Sequence, residues 1–285
     1  MSDCNYPHSE VVSVARHDHV AVVWLDRPAK RNAMAPDFWT DFPDVMDALS
    51  DDPEVRVVVI AAQGPSFTVG LDLVAFGPAV MGGDIAAIGG TAAASEVGKR
   101  RGTYDQIRLM QRTFSSIANN AKPVIAAIHG HCIGAGVDLT TACDVRLAAA
   151  DAVFSVRETK IAMVADVGTL QRLPAIIDPG RVAELVYTGR DWDAAEALDI
   201  GFVSGVYEDA AAVVDAAMSM AQQIAANSPL AVQGSKAVLN AARRRQVEEN
   251  LDHVALWNAA FLYSDDLGEA IQAFLQKRPP KYKGQ

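Results

Sequence analysis

The chain has 285 residues, and 25 Lys and Arg against 35 Asp and Glu leave a formal net charge of −10. That sign argues against a free nucleic-acid binder, because neutralising phosphates takes a basic surface. At 50% hydrophobic and 21% charged residues, the composition is that of a globular chain with a large core and not of a disordered one.

Residues Met1 to Arg16 carry Asp3, His8 and Glu10 where a secretory signal needs an apolar stretch. No later apolar run approaches the roughly 20 residues that span a bilayer, so a soluble protein with no membrane or nucleic-acid partner is expected. Cys4, Cys132 and Cys143 are odd in number and lack metal-ligand spacing. They predict no disulfide framework and a reducing compartment, with Cys132 and Cys143 as small core residues.

Val11 to Ala15 and Val20 to Leu25 are β-branched runs, and the polar Arg16-His17-Asp18-His19 between them is short enough for a hairpin. After a turn at Asp26-Arg27-Pro28, Pro36 sits where a first helical turn tolerates it. Phe38, Phe42, Val45, Met46 and Leu49 then recur at helical spacing until Asp51-Asp52-Pro53. Val55 to Ala62 reads as a buried strand, so strand, helix and strand suggest a βαβ crossover, and Pro123 to Ile128 repeats the theme. The fold class is α/β.

Residues 73 to 102 are rich in Gly and Ala, with Gly82-Gly83 and Gly89-Gly90, and read as a mobile insertion of the kind that borders binding sites. Helical spacing resumes over Tyr104 to Ala118 and stops at Asn119-Asn120-Ala121-Lys122-Pro123. Beyond the strand-like Phe202 to Tyr207, four helices are predicted: Ala210 to Ala226, Pro229 to Ala242, Gln246 to Leu262 and Leu267 to Gln276. The chain thus divides into a core over 1–207 and a helical segment over 208–285, whose apolar faces pack against the core or another subunit.

Three features carry chemistry. Gly64 to Leu73 follows a strand directly and can offer backbone N–H groups to an anion, or be a plain structural turn. It is not a serine-hydrolase elbow, since Thr68 stands where the second Gly belongs after Ser66. His129 to Leu139, after the second buried strand, has small residues that let the backbone approach a ligand, and the helix that follows aims its free N–H groups the same way. Leu139 stands where a dinucleotide fingerprint needs its third Gly. His129, His131 and Cys132 alternate in direction at a strand end and read as structural, with no metal.

The third feature is Asp138, Glu158 and Asp166, set in otherwise apolar sequence. Each alone suits a cap, a turn or half of an ion pair. Together they are expensive to bury unless used, and clustered carboxylates separate in pKa so that one acts as acid while another acts as base.

These turns and acids resemble the crotonase superfamily, the enoyl-CoA hydratase/isomerases, from about residue 10 to the end. Leu25-Asp26-Arg27-Pro28-Ala29-Lys30-Arg31-Asn32-Ala33-Met34 is similar to its N-terminal signature and Phe67 to Leu73 to its first oxyanion turn. Lys122 to Gly130, running into Gly134-Ala135-Gly136, is similar to its second. The resemblance implies a spiral of repeated ββα units with a helical C-terminal trimerisation segment. It also implies a thioester oxygen held by the backbone N–H groups of Leu71 and Ala135. Ala135 stands where many members have Gly, an exchange that a main-chain donor tolerates.

Acids matching Asp138 and Glu158 occur in hydratases, but Asp166 with Val167-Gly168-Thr169-Leu170-Gln171-Arg172-Leu173-Pro174, and Gly136-Val137-Asp138-Leu139, resemble the 3,5- to 2,4-dienoyl-CoA isomerases. By that resemblance Asp166 is the base at C2, Glu158 the acid serving C6, and Asp138 tunes or orients Glu158. No cofactor is implied beyond the coenzyme A of the substrate.

Phe274 and Lys277, in Phe274-Leu275-Gln276-Lys277-Arg278, resemble the segment that covers the adenine end of CoA, often from a neighbouring subunit. A basic helix end suits the dipole equally. Arg27, Lys30 and Arg31 are phosphate contacts or solvated loop charges. A homotrimer or dimer of trimers is implied. Two alternatives stand beside the isomerase: an enoyl-CoA hydratase using Asp138 and Glu158, and a non-catalytic acyl-CoA-binding protein of the same fold. The chain ends Lys281-Tyr282-Lys283-Gly284-Gln285 without a peroxisomal S-K-L terminus, so a cytoplasmic location is expected.

Overall fold

In a computed structural model, which describes residues 6–76 and 95–285, strands β1 (Val12–His17) and β2 (Val20–Leu25) pair antiparallel, with Val12 opposite Leu25 and His17 opposite Val20. Asp18 takes a left-handed φ of 52° in the turn between them. This is the hairpin that the β-branched runs predict. Helix α1 (Phe38–Asp51) then returns the chain so that β3 (Val57–Ala62) lies parallel to β2.

The rest of the chain repeats one pattern. A strand joins the large sheet, a short strand joins a smaller one, and a helix brings the chain back. The pattern runs through α2 (Glu96–Asn119), β4 (Val124–Ile128), β5 (His131–Ile133), α3 (Ala135–Ala142), β6 (Val145–Ala149) and β7 (Val153–Ser155). It continues with α4 (Thr169–Arg172), α5 (Pro179–Thr188), β8 (Trp192–Asp193), α6 (Ala194–Asp199) and β9 (Val206–Tyr207). The sheets are ordered β1-β2-β3-β4-β6-β9 and β5-β7-β8. This is the ββα spiral that the resemblance implies.

Strand β3 is buried at every position because both faces of the large sheet are covered. Val58 and Ile60 face Phe42, Met46 and Phe114, while Val57, Val59 and Ala61 face α7 (Ala210–Ala225) through Val213, Ala217 and Ala221. The alanines of α7 recur four apart, which lets that helix lie close on the sheet. The first helix beyond residue 208 is therefore a layer over the large sheet, and α8 (Pro229–Phe261) and α9 (Asp265–Leu275) follow it.

Two helices differ from the sequence reading. Helix α2 starts at Glu96 and not at Tyr104, with Ser95 Oγ capping it by accepting from Gly98 N at 3.1 Å. The run from 96 to 102 is too polar to show an apolar period, so its helicity was invisible in the pattern. That turns the last part of the expected 73–102 insertion into helix. Gly82-Gly83, Gly89-Gly90 and Cys4 lie outside the described residues.

Helix α8 is one element of 33 residues where two were expected. The exposed Arg243-Arg244-Arg245 run interrupts the apolar period but consists of good helix formers, so nothing stops the helix. Buried Lys236 anchors its first half, donating to Lys122 O and to Asp144 Oδ2, both at 2.8 Å. Among the described residues no helix is long and apolar enough to cross a membrane.

Candidate active site

Strands β3 and β4 are parallel neighbours, so the turns that follow them leave the same edge of the sheet. They are joined along their length. Phe67 N donates to His129 O and Thr68 N to His131 O, each at 2.8 Å, and Ile133 N returns a bond to Thr68 O at 3.1 Å. His129, 3% exposed, sets its Nε2 2.8 Å from Gly64 O, a structural role as read from the sequence. Asn32 Nδ2 donates to Ser66 O at 2.8 Å and to Gln63 O at 2.9 Å, so the N-terminal signature wraps the first turn.

Gly70 brings the two turns together. Its φ of +82° suits glycine, and a Cβ there would stand 2.6 Å from Ile133 O and 3.4 Å from Ala135 N. Leu71 follows it, flanked by bonds from Met34 N to Gly70 O and from Asp72 N to Met34 O. Neither Leu71 N–H nor Ala135 N–H has an acceptor among the described residues. Ala135 heads α3, where a free N–H is the rule and the helix dipole adds positive potential. Two unspent donors thus lie on adjoining turns, an arrangement that can form an oxyanion hole.

The three acids reach the same place from different elements. Asp138, on the first turn of α3, is fully buried. Its Oδ1 accepts from Thr169 N, and its Oδ2 has no partner. Glu158 opens the 3-10 turn Glu158–Ile161, and its Oε1 lies 3.2 Å from where a Cβ on Gly134 would be, so the carboxyl overlies the second oxyanion turn. Its Oε2 is buried without a partner. Asp166 Oδ2 accepts from Asn258 Nδ2 on α8 at 2.7 Å, and its main-chain O accepts from Gln111 Nε2 on α2 at 2.6 Å.

Burial pushes all three carboxyls up, and their neighbours set the order. Asp138 rises to about 6, restrained by the Thr169 bonds and by the Arg172 guanidinium. Asp166 rises to about 7, restrained by Asn258 and driven up by Asp138. Glu158 rises to about 8, because burial is joined by the charges of Asp138 and Asp166. Of the three, Glu158 is held most strongly toward its protonated form and Asp138 least, an arrangement able to serve acid–base chemistry. Arg172, 8% exposed and pushed down to about 10 by burial, supplies the positive charge facing Asp138.

The structure brings together Leu71, Ala135, Asp138, Glu158 and Asp166. The expected CoA contacts are dispersed. Arg27 turns inward, with Nη1 2.5 Å from Ala33 O and 3.4 Å from Asp72 Oδ2, and so braces the first oxyanion turn. Lys30 and Arg31 are exposed beside that turn, to which Arg31 O is tied by Val69 N. Phe274, 55% exposed, and Lys277 sit at the far end of α9. Among the described residues no three His, Cys, Asp or Glu side chains gather as metal ligands.

Asn258 and Gln111 were missed in the sequence, though a signal exists. Asn258 occupies the buried stripe Leu251, Val254, Ala255, Asn258, Ala259 of α8, and Gln111 the stripe Ile107, Gln111, Phe114 of α2. A polar residue at core spacing needs a partner, and both find Asp166.

Comparison with known proteins shows the family. Residues 15–285 match the family model described as enoyl-CoA hydratase/isomerase. A protein of Arabidopsis thaliana named Delta(3,5)-Delta(2,4)-dienoyl-CoA isomerase, peroxisomal, is 39% identical over 283 residues, covering 98% of each chain. One of Mus musculus with the same name, but mitochondrial, is 42% identical over 286 residues, covering 99% of this chain and 83% of the relative. The crystal structure of an enoyl-CoA hydratase from Mycobacterium avium subsp. paratuberculosis K-10 superimposes with a TM-score of 0.80 at 26% identity, covering 96% of this chain and 98% of that one. The relatives' names overturn the expected cytoplasmic location, since they read peroxisomal and mitochondrial. A thiol count reports redox chemistry, and one C-terminal tripeptide is only one of several addresses, so neither identifies the organelle that holds a chain.

Proposed function

Because this chain belongs to the enoyl-CoA hydratase/isomerase family, we propose that it converts a 3,5-dienoyl-CoA into the 2,4-dienoyl-CoA, with Asp166 as the base at C2 and Glu158 as the acid at C6. The relatives that carry this activity in their names match nearly the whole chain. The observation that carries the residue roles is the ionisation order of three carboxyls beside two unspent N–H donors.

Asp166 Oδ1, the carboxyl oxygen that Asn258 does not hold, takes the C2 proton. The electron pair left behind spreads over C2 to C6 and the thioester oxygen, whose charge falls to the Leu71 and Ala135 N–H groups. Each such donor is worth roughly 2.7–4 kcal/mol in measured oxyanion holes. Glu158 then delivers its proton to C6, which leaves double bonds at C2–C3 and C4–C5. Atoms and electrons balance with no oxidant and no water consumed. Ionised Asp138 beside Glu158 raises the proton affinity of that carboxyl, so Glu158 is reprotonated before the next turnover.

The substrate is an acyl-CoA thioester, for which Lys30 and Arg31 offer exposed positive charge beside the first turn. Arg27 serves that turn indirectly through Asp72. The chain assembles as a trimer or dimer of trimers, which covers the exposed Leu230, Val238, Leu239, Trp257 and Phe261 of α8 and brings Phe274 and Lys277 of one subunit to the CoA of another.

Asp166→Asn keeps the shape and removes the base. Isomerisation of 3,5-dienoyl-CoA should fall by the roughly 10²- to 10⁴-fold typical of a general base, and C2 exchange with deuterated water should stop. Glu158→Gln should exchange C2 protons without forming product. Near-native isomerisation by Asp166→Asn, or a native protein that only hydrates 2-enoyl-CoA, would sink the proposal and leave the hydratase reading.

A further inference from the structure

We propose that Asn258 is the positioning residue of the base: from α8 its amide fixes the Asp166 carboxylate by one oxygen and leaves the other free to take the substrate proton. This rests on the reading of Asp166 as the base. Asn258 is 2% exposed, and its Nδ2 spends one hydrogen on Asp166 Oδ2 at 2.7 Å and the other on Val164 O at 2.9 Å. The amide therefore spans the short segment that carries Asp166 and holds the side chain and the main chain in register.

The helix that supplies it is itself anchored. Gln111 Nε2 bridges Asp166 O and Leu251 O, Tyr104 donates to Asp252 at 2.5 Å, and Thr103 and Tyr263 oxygens meet at 3.0 Å. A carboxylate held in this way cannot swing its occupied oxygen toward the substrate. It also keeps one charge-assisted bond that favours the ionised form.

The charged groups around Asp166 pull the other way. Asp138 from α3 and Glu158 from the 3-10 turn face it as carboxyls, and Arg172 from α4 faces Asp138. Arg108 and Glu248, from α2 and α8, pair with each other at 2.7 Å. Asn258 is thus the neutral donor that offsets two acidic neighbours. It keeps the base ionised within the narrow interval in which Glu158 is still protonated.

The test is the pH dependence of kcat/KM with 3,5-dienoyl-CoA for Asn258→Ala and for Asn258→Leu, which fills the same space without a donor. Loss of one charge-assisted hydrogen bond should move the acid limb up by roughly one to two pH units. It then overlaps the alkaline limb of Glu158, so the maximum should fall about tenfold or more in kcat, with KM changed less than about threefold. Gln111→Met removes the main-chain bond to Asp166 and should lower the melting temperature without moving the acid limb.

An unmoved acid limb in both Asn258 variants, or an equal shift in Gln111→Met, overturns the positioning role. The Asp166→Asn protein separates the two failures. If it is inactive while the Asn258 profiles are unmoved, only the role of Asn258 falls. If it is active, the assignment of the base falls as well.

Discussion

Ala135 and Asp138 stand three residues apart on the first turn of α3, yet they belong to regions held by different means. The proposed oxyanion hole is main chain, shaped by Gly70 at φ +82° and by the ladder between the two turns, and the side chains of Leu71 and Ala135 have no part in its chemistry. The carboxylate cluster is all side chain, and each acid's proton affinity is raised first by burial and then adjusted by partners on other elements: Thr169 and Arg172, Asn258, or the neighbouring acids. A hole built from backbone tolerates changes of side chain and fails on changes of backbone. A cluster built from buried acids does the reverse, and it costs stability because charge or its precursor is held out of water.

The largest effect expected from breaking the first region is that of Ala135→Pro. Proline is accepted at the first position of a helix, and no acceptor uses this N–H among the described residues, so the fold should survive while the donor is lost. The rate should fall by roughly 10²- to 10³-fold with little change in melting temperature, whereas Ala135→Gly should stay within a few-fold of native. Full activity in folded Ala135→Pro protein would end the oxyanion assignment.

Gly70→Ala should be milder in rate and harsher in stability. Its methyl would meet Ile133 O at 2.6 Å and force an L-residue into left-handed φ, costing roughly 1–3 kcal/mol and parting the two donors. Thermal unfolding together with kcat on one preparation checks this. An unchanged melting temperature would show that the turns do not need their close approach.

The smallest effect has the opposite sign. Glu158 has an ordinary value of 4.5 and is raised to about 8 in the fold. Its contribution to stability is therefore fully present below about 4.5 and is lost as pH climbs through about 8, at ~1.4 kcal/mol per unit. Glu158→Gln has no such loss. Its melting temperature should exceed the native value by a few degrees at pH 8.5, and the gap should shrink steadily toward pH 5. A gap independent of pH would mean that the acid is not held protonated by its surroundings.

Much of this was legible in the residues. The hairpin, the βαβ crossover and strand β4 follow from β-branched runs and helical spacing. The two turns show through Gly70 and Gly134-Ala135-Gly136, since a close approach of backbone restricts residue type locally. Asp166 with Val167 to Pro174 pointed to the isomerases over the hydratases. Illegible were the start of α2, whose first turns are polar, and the continuity of α8 through Arg243-Arg244-Arg245, where the apolar period lapses but the helix does not. Asn258 escaped notice because it lies 92 residues from the acid it serves.

By itself the sequence determined which chemical groups are available and which backbone shapes the turns must take, because sterics and hydrophobic period act between near neighbours in the chain. Only the tertiary structure decided how far each carboxyl is pushed from its ordinary proton affinity. Proton affinity depends on burial and on the charges and donors within a few ångströms, and here these arrive from α3, α4, α8 and the 3-10 turn of Glu158, which meet only when the spiral closes.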